Sequence, residues 1–212
     1  MIEIKCFQFN PFQENTYVLY DESKECVIID AGCYEEHERQ ELIEFIDEES
    51  LLPRRLINTH CHIDHVFGLA FLAEKYKLGL EIHEKDLGVL EATSTVAQMY
   101  GLPNVDTPPA PSLYFHEGDV IEFGNSSLDI LFTPGHAPGH VVFVNKEQKF
   151  IIGGDVLFYL SIGRTDLPGG DHALLIDSIV SKLLPLGDDF IVHSGHGQST
   201  NIGFEKSNNP FL

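Results

Sequence analysis

Positive charge is scarce in this sequence: 13 Lys and Arg stand against 33 Asp and Glu among 212 residues, a formal charge of −20 at pH 7. A broad nucleic-acid or anionic-membrane surface needs clustered cations, so the balance argues against both as partners. A small anionic substrate needs only one or two local cations and stays open. Long apolar runs are also missing, since nothing approaches the roughly 18–20 residues that cross a bilayer. The start, Met1 to Phe7, lacks a basic stretch leading into an apolar core and a small-residue cleavage site. A cytoplasmic protein is therefore expected. Cys6, Cys26, Cys33 and Cys61 show no Cys-x-x-Cys spacing, which fits free thiols in a reducing compartment better than a disulfide framework. No repeat, no low-complexity segment and no Gly-x-Ser-x-Gly elbow for a nucleophilic serine is present.

What remains has the composition of an ordinary globular protein, 43% apolar and 22% charged, long enough for one domain over residues 1–212 with a sizeable core. Alternating or short apolar runs predict strands at Ile2–Phe9, Thr16–Tyr20, Cys26–Asp30 and Arg54–Thr59. Further strands are expected at Leu80–His83, Val120–Phe123, Leu128–Phe132, His140–Asn145, Lys149–Ile152 and Phe190–His193. Helices are expected at Tyr34–Glu49, from an N-cap at Asp64 to about Tyr76, within Glu84–Tyr100, and at Ala173–Leu184. The acidic residues of the first helix read as a solvated face. Pro103, Pro108, Pro109 and Pro111 make Gly101–Pro111 an irregular loop. Two β-then-α halves suggest two sheets with helices packed outside them.

The chemistry concentrates at Thr59-His60-Cys61-His62-Ile63-Asp64-His65. A strand end followed by a helix start can turn these histidines and the aspartate to one centre, and imidazole and carboxylate suit zinc, iron or manganese. Three more segments share one grammar, a strand end, then glycine, then a metal-capable side chain: Gly135-His136, Gly154-Asp155 and Gly195-His196. Glycine there allows an unusual backbone angle or a close approach to a crowded centre. Five histidines and two aspartates suffice for two metals if one carboxylate bridges.

With these residues in hand, the sequence resembles the metallo-β-lactamase superfamily, whose signature is a His-x-His-x-Asp-His cluster followed by a lone His, an Asp and a final His. The resemblance implies an α/β fold, a four-layer αβ/βα sandwich with metals at one edge of the two sheets. It implies that His60, His62 and His136 hold the first metal, that Asp64, His65 and His196 hold the second, and that Asp155 bridges. The chain is most similar to short relatives of glyoxalase II, through Thr133–His140, Gly153–Phe158, Gly163–Asp166 and the tail Asn208–Leu212. Full-length glyoxalase II carries a further helical domain that grips glutathione, which this sequence does not reach. Arg164 and Gln198 stand where that family uses a lysine and a tyrosine toward the substrate.

The resemblance thus implies a thioesterase for a hydroxyacyl thiol such as D-lactoylglutathione. Two divalent ions, zinc before iron or manganese, would share a water, lower its pKa toward about 7 and present hydroxide to the acyl carbonyl. Asp64 and Asp155 are the expected catalytic carboxylates. The alternatives are a mono-iron persulfide dioxygenase using His60, His136 and Asp155, or another ester or lactone hydrolase. The partner expected is a small-molecule thioester; oligomeric state is left open. His140 is assigned to the fold or to supporting the ligands rather than to binding metal, Cys61 to packing away from the centre, and Phe12 to an ordinary turn ahead of the alternative, lining the mouth of the cleft. Arg164 reads equally as a substrate anchor or as a partner of Asp166 or Asp171. His37, His83, His116, His172 and His193 read as surface or packed residues.

Overall fold

A computed structural model describes residues 1–212. Two six-stranded sheets face one another. The first runs β1 (Glu3–Phe9), β2 (Glu14–Tyr20), β3 (Glu25–Ile29), β4 (Leu52–Ile57), β5 (Leu80–His83) and β6 (Pro111–Phe115) in sequence order. Its first two pairings are antiparallel and the rest parallel. The second sheet contains β7 (Val120–Phe123), β8 (Ser126–Phe132), β9 (Val141–Asn145), β10 (Phe150–Gly154), β13 (Ile191–Ser194) and β14 (Thr200–Asn201), and β10 and β13 are its parallel pair. A small hairpin of β11 (Leu157–Phe158) and β12 (Ser161–Ile162) stands beside it.

Helices α1 (Glu36–Glu48) and α2 (Leu69–Tyr76) cover the outer face of the first sheet, while α5 (His172–Ser178) and α6 (Ile202–Asn208) cover that of the second. Side chains alternate across each strand. Val27 and Ile29 join Leu128, Ile130, Phe143 and Ile152 in the core between the sheets. Cys26 and Ile28 point the other way, onto Leu42 and Ile46 of α1 and Leu69 and Leu72 of α2. In the second sheet Ile151 and Val192 meet Leu175, Ile179 and Ile202. Both faces are covered, so central strands are apolar throughout. This is the four-layer αβ/βα sandwich expected.

Several local expectations need correction. Asp64 does not cap a helix: Ile63–His65 is a single 3₁₀ turn and α2 begins at Leu69, after Gly68. The Asp64 carboxylate is directed at His196 instead, 3.2 Å from Nε2. Pro111 opens β6 rather than closing a loop, which a proline tolerates as the first residue of an edge strand. The region Glu84–Tyr100 splits into α3 (Leu87–Glu91) and α4 (Thr93–Tyr100), and the helix at 173–184 passes into a π turn at Ile179–Leu183. Glu38 does not belong to a solvated face. It is buried, and its carboxylate accepts from the N–H groups of Asn10, Tyr34 and Glu35. The hairpin β11–β12, strand β14 and helix α6 carried no clear sequence signal.

Candidate metal centre

Parallel strands end at the same edge, and that geometry assembles the site. Strands β3 and β4 lead into Asp30 and into Thr59-His60, and Asp30 Oδ1 accepts the Thr59 N–H at 2.6 Å. Strands β10 and β13 lead into Asp155 and His196, and the Gly195 N–H donates 2.7 Å to the Gly154 carbonyl. Strand β8 runs the same way and delivers His136.

Two of the glycines allow this crowding. Gly135 holds φ at +135° with the backbone of Leu175 packed against it, and Gly154 holds φ at +46° with His140 Nε2 2.6 Å from where a Cβ would stand.

Three ring nitrogens converge first. His62 Nδ1 lies 2.8 Å, and His60 Nε2 3.2 Å, from His136 Nε2. Nitrogens on a tetrahedral ion with arms of about 2.0–2.1 Å stand about 3.4 Å apart, so this grouping is close to a ligand set. A second group joins Asp64, His65 and His196. Asp64 Oδ2 is 3.2 Å from His196 Nε2 and 3.9 Å from His65 Nε2. The Asp155 carboxylate faces both groups: Oδ2 lies 3.5 Å from His136 Nε2 and 3.6 Å from His196 Nε2, and Oδ1 lies 3.5 Å from His65 Nε2.

Electrostatics and hydrogen bonding test whether metals fit. Burial, with His136 beside it, pushes the His62 pKa down to about 3, and burial brings His136 to about 4. His60 is driven well below the usual range by burial and by its histidine neighbours. These rings are therefore neutral, with lone pairs free. Burial opposes ionisation of Asp64, but His65 and His196 hold its carboxyl below the ordinary range. Both nitrogens of His65 and Oδ1 of Asp155 are buried without a hydrogen-bond partner. Native interiors rarely leave such atoms orphaned; a borderline divalent cation satisfies His65 Nε2 and Asp155 Oδ1, while Nδ1 turns its proton toward the Asp30 carboxylate behind it. The residues fit a metal pair.

The surroundings hold these side chains in place. His140, fully buried, accepts the Asp155 N–H at Nε2 (3.0 Å) and stacks on His60. Asp30 Oδ2 stands 3.3 Å behind His65 Nδ1, and the Arg164 carbonyl lies 2.8 Å from His136 Nδ1. Sequence reasoning placed His140 in this supporting role and missed Asp30, whose only signal is its position at a strand end. Cys61 is buried in the core under the first sheet, its N–H donating to Asp86. His83 stacks on Phe132, and His193 packs between Tyr17 and Phe150.

Above the centre opens a cleft of about 990 Å³. Val89, Ala92, Val96 and Tyr100 of α3 and α4 form one wall, and Phe158, Tyr159 and Ile162 of the β11–β12 hairpin form the other. Phe12 also lines it, against Phe67 and Tyr100, so it is more than a turn anchor. Arg164 and Gln198 both reach the cleft. The Arg164 guanidinium is already paired, Nε and Nη2 each donating 2.7 Å to Asp166.

Residues 9–196 match the family described as the metallo-beta-lactamase superfamily. The chain is 42% identical to a protein named hydroxyacylglutathione hydrolase GloC from Haemophilus influenzae, over 100% of this chain and 98% of that one. Among solved structures it resembles the BLEG-1 B3 metallo-beta-lactamase (TM-score 0.90, 36% identity, 99% of each chain). It also resembles TTHA1623, solved in a di-iron-bound form (TM-score 0.87, 37% identity, 98% of this chain and 100% of that one).

Proposed function

The chain belongs to the metallo-beta-lactamase superfamily and is a metallo-hydrolase, and from that premise we propose that it is a thioesterase for hydroxyacyl thiols such as D-lactoylglutathione. In this reading His60, His62 and His136 would hold one divalent ion, Asp64, His65 and His196 would hold a second, and Asp155 would serve both. Zinc suits the donor set, as do iron and manganese. Bound there, the ions supply an activated water and a Lewis acid for the acyl carbonyl.

The chain's own residues supply the rest. Asp64 and Asp155, whose carboxylates face the ligand nitrogens, would orient the attacking water. The apolar walls seat the substrate and limit bulk water, and Arg164 and Gln198 meet its polar end. Apart from members of the metal-binding set, the cleft contains no His, Asp or Glu. A thiol with a pKa near 8.5 departs as thiolate without a proton donor, so a thioester asks for no general acid beyond the centre itself. Residues from Phe12 to Gln198 line this cleft, and the reading treats 1–212 as one domain. The cysteines are free, with burial pushing the Cys26 and Cys33 thiols up to about 12, which suits a reducing cytoplasm.

The observation that carries the reading is the Asp155 carboxylate set between two groups of ligand atoms at the floor of a cleft. End-to-end similarity to a protein named hydroxyacylglutathione hydrolase supports the substrate. The test is hydrolysis of D-lactoylglutathione by protein whose metals are counted in the same preparation. Turnover should rise with metal content up to about two ions per chain, and Asp155→Ala should lose both metal and at least about 100-fold in kcat/KM. A fully loaded sample without turnover removes this substrate.

A further inference from the structure

Six residues at the β1–β2 turn, Asn10–Gln13 and the first two residues of β2, Glu14 and Asn15, reach every member of one ligand group and make no hydrogen bond to the other. Asn10 Nδ2 donates at 2.9 Å to the backbone carbonyls of Gly32 and of Asp64. The carbonyls of Phe12 and Gln13 each stand 3.2 Å from His196 Nδ1. They accept the proton of that nitrogen and leave the Nε2 lone pair facing Asp64 and Asp155. Glu14 is fully buried, with Oε1 3.8 Å from His65 Nδ1 and otherwise without a partner. Asn15 Nδ2 donates at 2.9 Å to the carbonyls of Ser194 and Gly197, and its N–H donates at 2.7 Å to Gly195, so one residue grips both sides of the turn carrying His196.

The second group is supported elsewhere. His60 Nδ1 meets Thr59 Oγ1 and His136 Nδ1 meets the Arg164 carbonyl, with no bond from residues 10–15. The turn Asn10–Gln13 is also held in one shape. Asn10 and Gln13 have φ of +55° and +57°, a region that non-glycine residues keep only where their surroundings dictate it. The Glu38 carboxylate accepts the Asn10 N–H at 2.5 Å, and Asn10 Oδ1 accepts that of Phe12 at 3.0 Å.

We propose that Asn10–Asn15 is the positioning shell of the Asp64–His65–His196 metal position alone, and that it sets the affinity of that position independently of the His60–His62–His136 position. This rests on the two-metal reading above. Partners that orient a ligand typically matter by about 10–100-fold in metal affinity. Asp30 reaches both positions, through His65 and through Thr59 to His60, but the contacts of Asn10–Asn15 serve one position only, so the two affinities are separable by substitution there.

Two variants test it. Asn10→Gly keeps the left-handed backbone without strain and deletes both Nδ2 bonds. Asn15→Asp keeps the side-chain volume and replaces the donor facing Ser194 and Gly197 with an oxygen. Apo protein is titrated with zinc against a chromophoric chelator, with stoichiometry read by native mass spectrometry. Wild type should bind two ions, and each variant should keep one at wild-type affinity while weakening the other about 10–100-fold. Double variants identify the weakened ion. Adding Asn10→Gly to His62→Ala should weaken the remaining ion, and adding it to His196→Ala should leave the remaining ion unchanged. Two unaltered affinities in both variants, or an equal loss in both positions with unchanged circular dichroism, would overturn the inference. A wild type that binds only one ion would instead overturn the two-metal reading on which it rests.

Discussion

Arg164 serves the site through two different atoms. Its carbonyl lies 2.8 Å from His136 Nδ1, while its guanidinium is paired with Asp166 beside the cleft that the residue lines. An exposed pair of this kind is weakly held, so the side chain is available to an anionic substrate at little cost. Arg164→Ala should therefore raise KM for an anionic thioester about 3- to 10-fold and change kcat less, since the carbonyl and its hold on His136 persist. Steady-state kinetics on D-lactoylglutathione against an uncharged thioester reads this directly. Equal KM values for variant and wild type would leave the guanidinium as Asp166's partner only. At this scale the sequence was most legible where chemistry is unusual. His60, His62, Asp64 and His65 announce themselves by spacing, and the Gly-His and Gly-Asp pairs by their order along the chain. Asn10, Glu14, Asn15 and Asp30 did not, because they act across long sequence separations, the asparagines on backbone carbonyls and the carboxylates on the far side of His65, and neither leaves a local pattern.

Among the elements, α5 and the loop before it behave as one part. The Asp171 N–H donates 2.7 Å to the Gly135 carbonyl, the Ser178 hydroxyl donates 2.7 Å to the Pro134 carbonyl, and Gly135 packs on the Leu175 backbone. A Cβ at Gly135 would meet that backbone, and its φ of +135° is one that L side chains avoid. Gly135→Ala should lower stability by about 2–4 kcal/mol and weaken metal binding through a displaced His136, as read by urea unfolding with and without added zinc. An unshifted unfolding midpoint would show that α5 yields freely. Long elements with strong periodicity, such as α1 and β1–β3, were readable in the sequence. Strands β11, β12 and β14 have only two residues each, too short to carry any period. Helix α6 buries Ile202 and Glu205, and its polar face masks that burial. Strand β6 was hidden by the proline that opens it.

Across the whole molecule, Asp21 ties the two sheets together. It lies just after β2 and accepts from the Asn125 N–H and the Ser126 hydroxyl, both at 2.7 Å, beside its local bonds to Ser23. Burial alone would raise its pKa, but the Ser23 and Ser126 hydroxyls and two backbone N–H groups bring it down to about 2. A carboxyl whose folded pKa lies below its unfolded value near 4 stabilises the fold above that value, and the contribution is lost as pH falls toward 2. Asp21→Ala should thus cost about 1–2 kcal/mol at pH 7, with the difference from wild type shrinking between about pH 4 and pH 2 in chemical denaturation. A difference independent of pH would mean that packing, not the ionised carboxylate, joins the sheets there. The sandwich itself was legible because alternation and β-then-α order are global features, whereas the meeting of Asp155 with both ligand groups depends on two sheets ending at one edge. The most direct test of that meeting is anomalous diffraction at the metal absorption edge from metal-loaded crystals. The account predicts two peaks about 3.5–4 Å apart, one against the ring nitrogens of His60, His62 and His136, the other against Asp64, His65 and His196, with the Asp155 carboxylate between them. A single peak in a fully loaded crystal, or a pair that leaves Asp155 uncoordinated, would contradict it.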